Sequence, residues 1–150
     1  MIKNKLTELG IVLPAAVTPA FQYVPVTVHE RLAFVSGQLP RRGETFVTGK
    51  LGADVDLESG REAARLCILQ ALSCLDQALG SLDRVHKILK VTGFVASAPG
   101  FNQQPKVIDA ASELLVQVFG EAGRHARSAI GVAELPRNAA VEIELIVALH

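Results

Sequence analysis

The run AVEIELIVAL, from Ala140 to Leu149, constrains the fold more than any other stretch of this chain. Side chains alternate faces along a strand, so Val141, Ile143, Leu145 and Val147 share one side while Glu142, Glu144 and Ile146 share the other. The apolar row needs a covering layer. The charged row needs water, a partner or a chemical use, because a buried uncompensated charge is costly or shifts its pKa until it is neutral.

Elsewhere the pattern supplies that layer. From Asp56, apolar residues recur at spacings of three and four through Leu57, Ala64, Cys67, Ile68, Ala71, Leu75 and Leu79, which predicts a helix that stops at Gly80, with Ser59 and Glu62 as its capping box. A second helix is predicted over Gln104 to Phe119, ended by Gly120 and Gly123. Tyr23 to Val28 alternates, His29 and Glu30 form a polar tip, and Arg31 to Ser36 returns, which reads as a hairpin whose Pro25 favours a sheet edge. A short strand at Thr45–Thr48, a longer one from Lys87 to Ala96, and Arg127 to Ala133 complete the set. The order ββ(β)αβαββ predicts an α+β fold with two helices on one face of a mixed sheet.

At 150 residues the chain fits one domain, 1–150. Fifteen basic and fifteen acidic residues, 5% aromatics and no Trp argue against nucleic acid as a partner. The apolar fraction is 49% and the mean hydropathy +0.32, yet no uninterrupted apolar run reaches the roughly 18 residues that a membrane span needs. Part of the apolar surface is therefore expected between subunits. Glu8, Gly10 and Pro14 break the apolar amino-terminal stretch, so no leader is expected and the location reads as cytoplasmic. Cys67 and Cys74 share a helix face about 10 Å apart, too far for a disulfide, and read as buried thiols. His29, His86, His125 and His150 form no ligand motif, so no metal site is expected.

Arg127 opens the strand preceding the last one, and the short connection through Pro136 and Asn138 is expected to fold the two strands back on each other. Two readings stay open here. Arg127 pairs with a glutamate to fix register or an oligomer contact, or it clamps a ligand carboxylate beside a carboxylate that acts on water.

The stretch ARSAIGVAELPRNAAVEIELIV resembles the C-terminal signature of the YjgF/RidA (endoribonuclease L-PSP-like) family, in which an Arg-Ser strand, a Leu-Pro turn and a Val-Glu-Ile-Glu strand follow one another. FVSGQLP resembles the family's early Ser-Gly-Gln strand and VHKILKVTGFV its central strand, while the longer connections are most similar to a longer-chain subgroup. The resemblance implies a chorismate-mutase-like α+β fold and a homotrimer whose strands form a central barrel, with ligand clefts between subunits. It also implies hydrolysis of reactive enamine and imine intermediates to 2-oxo acids and ammonia, with no cofactor.

Within that resemblance Arg127 matches the arginine that binds the substrate carboxylate, Glu142 the acid that positions water, and Tyr23 the cleft tyrosine. Ser36, Gly37 and Gln38 are expected to line the cleft, with Gly37 allowing close approach of a ligand; the plain alternative is a strand end entering a turn. Asp109 corresponds to a family asparagine, and Ala129 replaces a cysteine common two residues after the arginine. Arg124 and His125 are expected to be solvated loop residues, with His125 a reserve general acid. The competing functions are an endoribonuclease or translation inhibitor, and a non-catalytic trimer that binds a small carboxylate.

Overall fold

The computed structural model describes residues 1–18 and 21–150. Its elements are α1 (Ile2–Glu8), β1 (Val26–His29), β2 (Leu32–Gln38), β3 (Arg41–Arg42), β4 (Thr45–Phe46), α2 (Leu57–Leu79), β5 (Val85–Ala96), α3 (Gln104–Phe119), β6 (Ala126–Val132) and β7 (Val141–Leu149).

Both long helices form over the segments their apolar periodicity predicts, but α2 is capped differently. Asp56, in extended backbone, accepts a hydrogen bond from the Ser59 amide at 2.7 Å. The Asp56 carboxylate reaches the orphan amide one turn ahead of the expected Ser59–Glu62 box, and Glu62 instead faces Arg42 at 3.6 Å. At the far end Gly80 takes the left-handed conformation, φ 81°, which glycine adopts without steric penalty. The amino-terminal helix α1 was not anticipated. Seven residues are too few to hold a helix on propensity alone. It is held instead by burial of Leu6 and by the Ile2 amide donating to Asp83 Oδ1 at 2.7 Å.

Five strands form one sheet in the order β1-β2-β7-β5-β6, and β3 and β4 make a separate two-stranded ribbon. Since β2 and β5 are each antiparallel to β7, they run parallel to one another, and α2 is the crossover between them. In the same way α3 connects the parallel pair β5 and β6. This corrects one expectation: β6 and β7 are not neighbours. Parallel pairing to β5, which α3 makes possible, places β6 at the sheet edge and leaves β5 between the two. The strand near Pro25 does lie at the other edge, but it starts at Val26, so Tyr23 precedes the sheet.

Both helices cover one face. Val141, Ile143, Leu145 and Val147 of β7 are buried against them, together with Val91 and Val95 of β5, in one continuous apolar cluster. A fully buried side chain of this kind contributes about 1.5–3 kcal/mol. The packing is close: a Cβ at Gly93 would come within 2.5 Å of Ile108 on α3. Cys67 and Cys74 are buried free thiols, as the sequence suggests. Burial pushes the Cys67 thiol well up, and Glu142 adds to the shift.

Among the described residues no helix covers the second face. It presents Phe34, Ile146 and Lys90 in one row, Glu144, Thr92 and Ser128 in the next, and Glu142, Phe94 and Ile130 in a third. Phe34 is 41% and Ile130 46% exposed. The architecture is the α+β, chorismate-mutase-like one. Among the described residues no helix is long and apolar enough to cross a membrane.

Candidate functional site

Glu142 is the second residue of β7 and points away from the helices, at the end of the sheet where β2 is distorted. Pairing between β2 and β7 shifts register between Val35 and Gln38, and this irregularity brings Gly37 against Glu142. A Cβ on Gly37 would lie 2.7 Å from Glu142 Oε1. The missing side chain at Gly37 admits the carboxylate this closely, and Gly37 itself borders the cavity. Glu142, Gly37, Gln38 and Tyr23 line one cavity of about 340 Å³. Burial raises the Glu142 pKa above its ordinary value, and the neighbouring charge of Glu144 raises it further. A carboxyl so placed is a better proton acceptor than a solvated one.

Ser36 points elsewhere. Its hydroxyl donates to the Val24 carbonyl at 2.8 Å, and it lines an adjoining hollow with Tyr23, Thr92 and Glu144 on the open face. Tyr23, 54% exposed, borders both hollows.

Arg127 belongs to a different cluster. It stands level with Val91 and Leu145, so it projects toward the helices at the β6 edge. Its Nη1 donates to Asp109 Oδ1 at 2.8 Å and to Ser112 Oγ at 3.1 Å, both on α3. The pairing with a β7 glutamate is thus replaced by one with Asp109, because β5 separates the strands. Among the described residues Nη2 and Nε make no hydrogen bond, and that edge of the guanidinium has the planar fork shape that suits a carboxylate.

His125 sits behind this pair and is not a solvated loop residue. Its Nδ1–H donates to the Gly123 carbonyl at 2.6 Å, which leaves Nε2 to accept the Ser112 hydroxyl at 2.9 Å. Burial lowers the imidazole pKa; the Gly123 carbonyl opposes that shift and the Arg127 charge adds to it. The ring is therefore biased to the neutral form that this chain of bonds requires. Arg124 is exposed and pairs with Glu121 at 3.0 Å. Ser112 was missed in the sequence, although its spacing of three from Asp109 puts both on one helix face.

Arg127 and Glu142 do not meet within one chain. Two strand spacings separate them laterally, about 10 Å, and three residues separate them along the strands, about 10 Å more. They also point to opposite faces. Among the described residues no group of three metal-ligating side chains converges.

Residues 3–149 match the family described as "YjgF/chorismate_mutase-like, putative endoribonuclease". The chain belongs to the YjgF family. Among its relatives is Protein TCP17 of Trypanosoma cruzi, 48% identical over 99% of this chain and 94% of that protein. A 2-iminobutanoate/2-iminopropanoate deaminase of Dermatophagoides farinae is 30% identical over 91% of this chain and 93% of its own length. The crystal structure of Atu1372, a protein of unknown function from Agrobacterium tumefaciens, superposes with a TM-score of 0.92 at 46% identity, covering 99% of this chain and 92% of that one. YjgF membership accounts for the order of the motifs along the sequence, from FVSGQLP to the final glutamate-bearing strand.

Proposed function

We propose that the protein is a hydrolytic deaminase of small 2-imino acids and their enamine tautomers, acting at clefts shared between the subunits of a homotrimer. The observation that carries this reading is Glu142: a half-buried carboxyl with a raised pKa, facing a cavity beside Tyr23. The similarity to a 2-iminobutanoate/2-iminopropanoate deaminase supports it.

The reaction needs water and proton transfers only. A protonated imine carbon is electrophilic; water adds to it, forming a C–O bond, and the C–N bond then breaks. Both water protons end on nitrogen, which leaves as ammonium, and the carbon becomes the 2-oxo group. Glu142 takes a proton from the attacking water and returns it toward the amine. Tyr23 holds the water or the nitrogen by its hydroxyl. Arg127 grips the substrate carboxylate through its Nη2–Nε edge and fixes the face presented to attack, so much of the acceleration comes from orientation.

Because Arg127 and Glu142 of one chain face different ways, the arginine that completes each cleft comes from a neighbouring subunit. Exposed Phe34 and Ile130 on the uncovered face suit burial in such an assembly. Ammonia release from freshly generated 2-iminobutyrate is the test. Glu142→Gln should slow it by about 10²–10⁴, the usual contribution of a general acid–base group. Arg127→Ala should raise KM most. A solution mass of one subunit, or wild-type release no faster than buffer, would refute the reading.

A further inference from the structure

The cavity that holds Glu142 is also lined by two arginines that this chemistry leaves unused. Arg41, on β3, lies with its guanidinium carbon 4.7 Å from the centre of the Phe46 ring, and that of Arg137 lies 5.2 Å from the same ring. Both residues and Phe46 border the cavity. Two cations sharing one aromatic ring repel each other, and the attraction of a single ring face for a cation is modest. A carboxylate would be the natural remedy. Among the described residues neither Arg41 nor Arg137 has an acidic partner within salt-bridge distance, whereas Arg42, next in sequence, pairs with Glu62 at 3.6 Å. Glu142 does not serve them either: its pKa is raised, with no arginine among the charges that shift it.

The position of Arg137 is imposed. Its backbone has φ 56° and ψ 26°, a left-handed conformation that non-glycine residues seldom adopt, and Asn138 follows at φ 56°. Such geometry persists only where the surroundings enforce it. Here the Gly49 amide donates to the Asn138 carbonyl at 2.9 Å, and the Ala140 amide donates to the Val47 carbonyl at 3.0 Å, so the turn is tied to the segment that carries Phe46. Cross-strand pairing of Arg41 with Phe46 fixes the other cation. A rigid, cationic, uncompensated pair at the wall of a cavity is an anion site.

We infer that Arg41 and Arg137 bind a second acidic group of the ligand, so that the cleft prefers imino acids derived from dicarboxylic amino acids over those with a plain alkyl side chain. The inference rests on the imine-hydrolase reading for the first carboxylate, which Arg127 takes. Binding of the unreactive probes butyrate, succinate and glutarate, measured by titration calorimetry on the intact assembly, tests it.

The wild type should bind succinate or glutarate at least tenfold more tightly than butyrate. In Arg41→Gln/Arg137→Gln the dicarboxylate-to-butyrate ratio should fall to near one. Arg41→Lys/Arg137→Lys, which keeps the charge and loses the planar fork, should fall between, and serves if the glutamine pair unfolds. A wild-type ratio near one, no dicarboxylate binding at millimolar concentration, or a ratio unchanged in the folded double variant overturns the inference. Arg127→Gln separates the two readings: it should weaken all three probes. If it weakens none while the double variant still loses dicarboxylate, the second site stands and the imine-hydrolase reading of Arg127 falls.

Discussion

The two faces of β7 are built from the same nine residues and answer to different demands. On one, Val141, Ile143, Leu145 and Val147 are at most 1% exposed and pack in the apolar cluster beneath α2. On the other, Glu142 and Ile146 are half-covered and Glu144 is exposed. The covered face specifies where the strand sits, because a slip of one residue would bury two glutamates and expose four aliphatic side chains. The open face is then free to hold charges, and the charge nearest the distorted end of β2 acquires a cavity and a raised pKa. Stability on one side leaves the other free for the proposed chemistry.

This contrast predicts unequal penalties. Ile143→Ala, at the fully buried centre of the sheet, should cost about 2–5 kcal/mol in chemical denaturation, the lost burial plus the cavity left behind. A loss below about 1 kcal/mol would mean that the covered face collapses around the gap and does not anchor the strand. Gly37→Ala approaches the same strand from the other side. Its new methyl would meet the Glu142 carboxylate at 2.7 Å, and that group can swing aside. We expect a smaller stability loss, about 1 kcal/mol, since overpacking is relieved by a movable side chain. Ammonia release should fall much further, because the displaced carboxylate is the proposed proton acceptor. Undiminished release by a folded Gly37→Ala protein would show that the position of Glu142 is not what the chemistry needs.

The sequence was informative where a feature is periodic and less so where it depends on pairing. The alternation of β7, the spacing of three and four in α2 and α3, and the stop at Gly80 are local, and each element appears where the pattern put it. Which strands neighbour each other is not local. Arg127 looked adjacent to the last strand because the connecting turn is short, yet α3 carries β6 into parallel pairing with β5 and so away from β7. The same move took Arg127 from a glutamate to Asp109, a residue that the family motif had flagged but spacing had not. The Arg41–Phe46–Arg137 cluster was equally hidden. It joins residues nearly a hundred positions apart, and its one local trace is a turn whose left-handed arginine no propensity rule anticipates. The capping of α2 differed for a smaller reason: two candidate caps stood three residues apart, and the helix starts from the earlier one, Asp56, which accepts from the Ser59 amide.

The smallest effect is the most specific to the open face. Glu142 has a folded-state pKa above its ordinary value, since burial and Glu144 both oppose its ionisation. In the unfolded chain it titrates near the ordinary value of 4.5. At neutral pH the folded state therefore carries a penalty that the unfolded state lacks. As pH falls through the raised pKa the folded carboxyl takes up a proton first, so stability from this group rises, and below about 4.5 both states are protonated and the penalty is gone. Glu142→Gln removes the charge at every pH. The variant should accordingly be slightly more stable than wild type at pH 7 and lose that advantage by pH 4, measured as paired urea melts. An advantage that persists unchanged at pH 4 would locate the effect in the shape of the glutamine, not in the charge. A variant less stable than wild type at pH 7 would mean that the carboxylate is favourably held in the fold, and the contrast between the two faces of β7 would lose its electrostatic half.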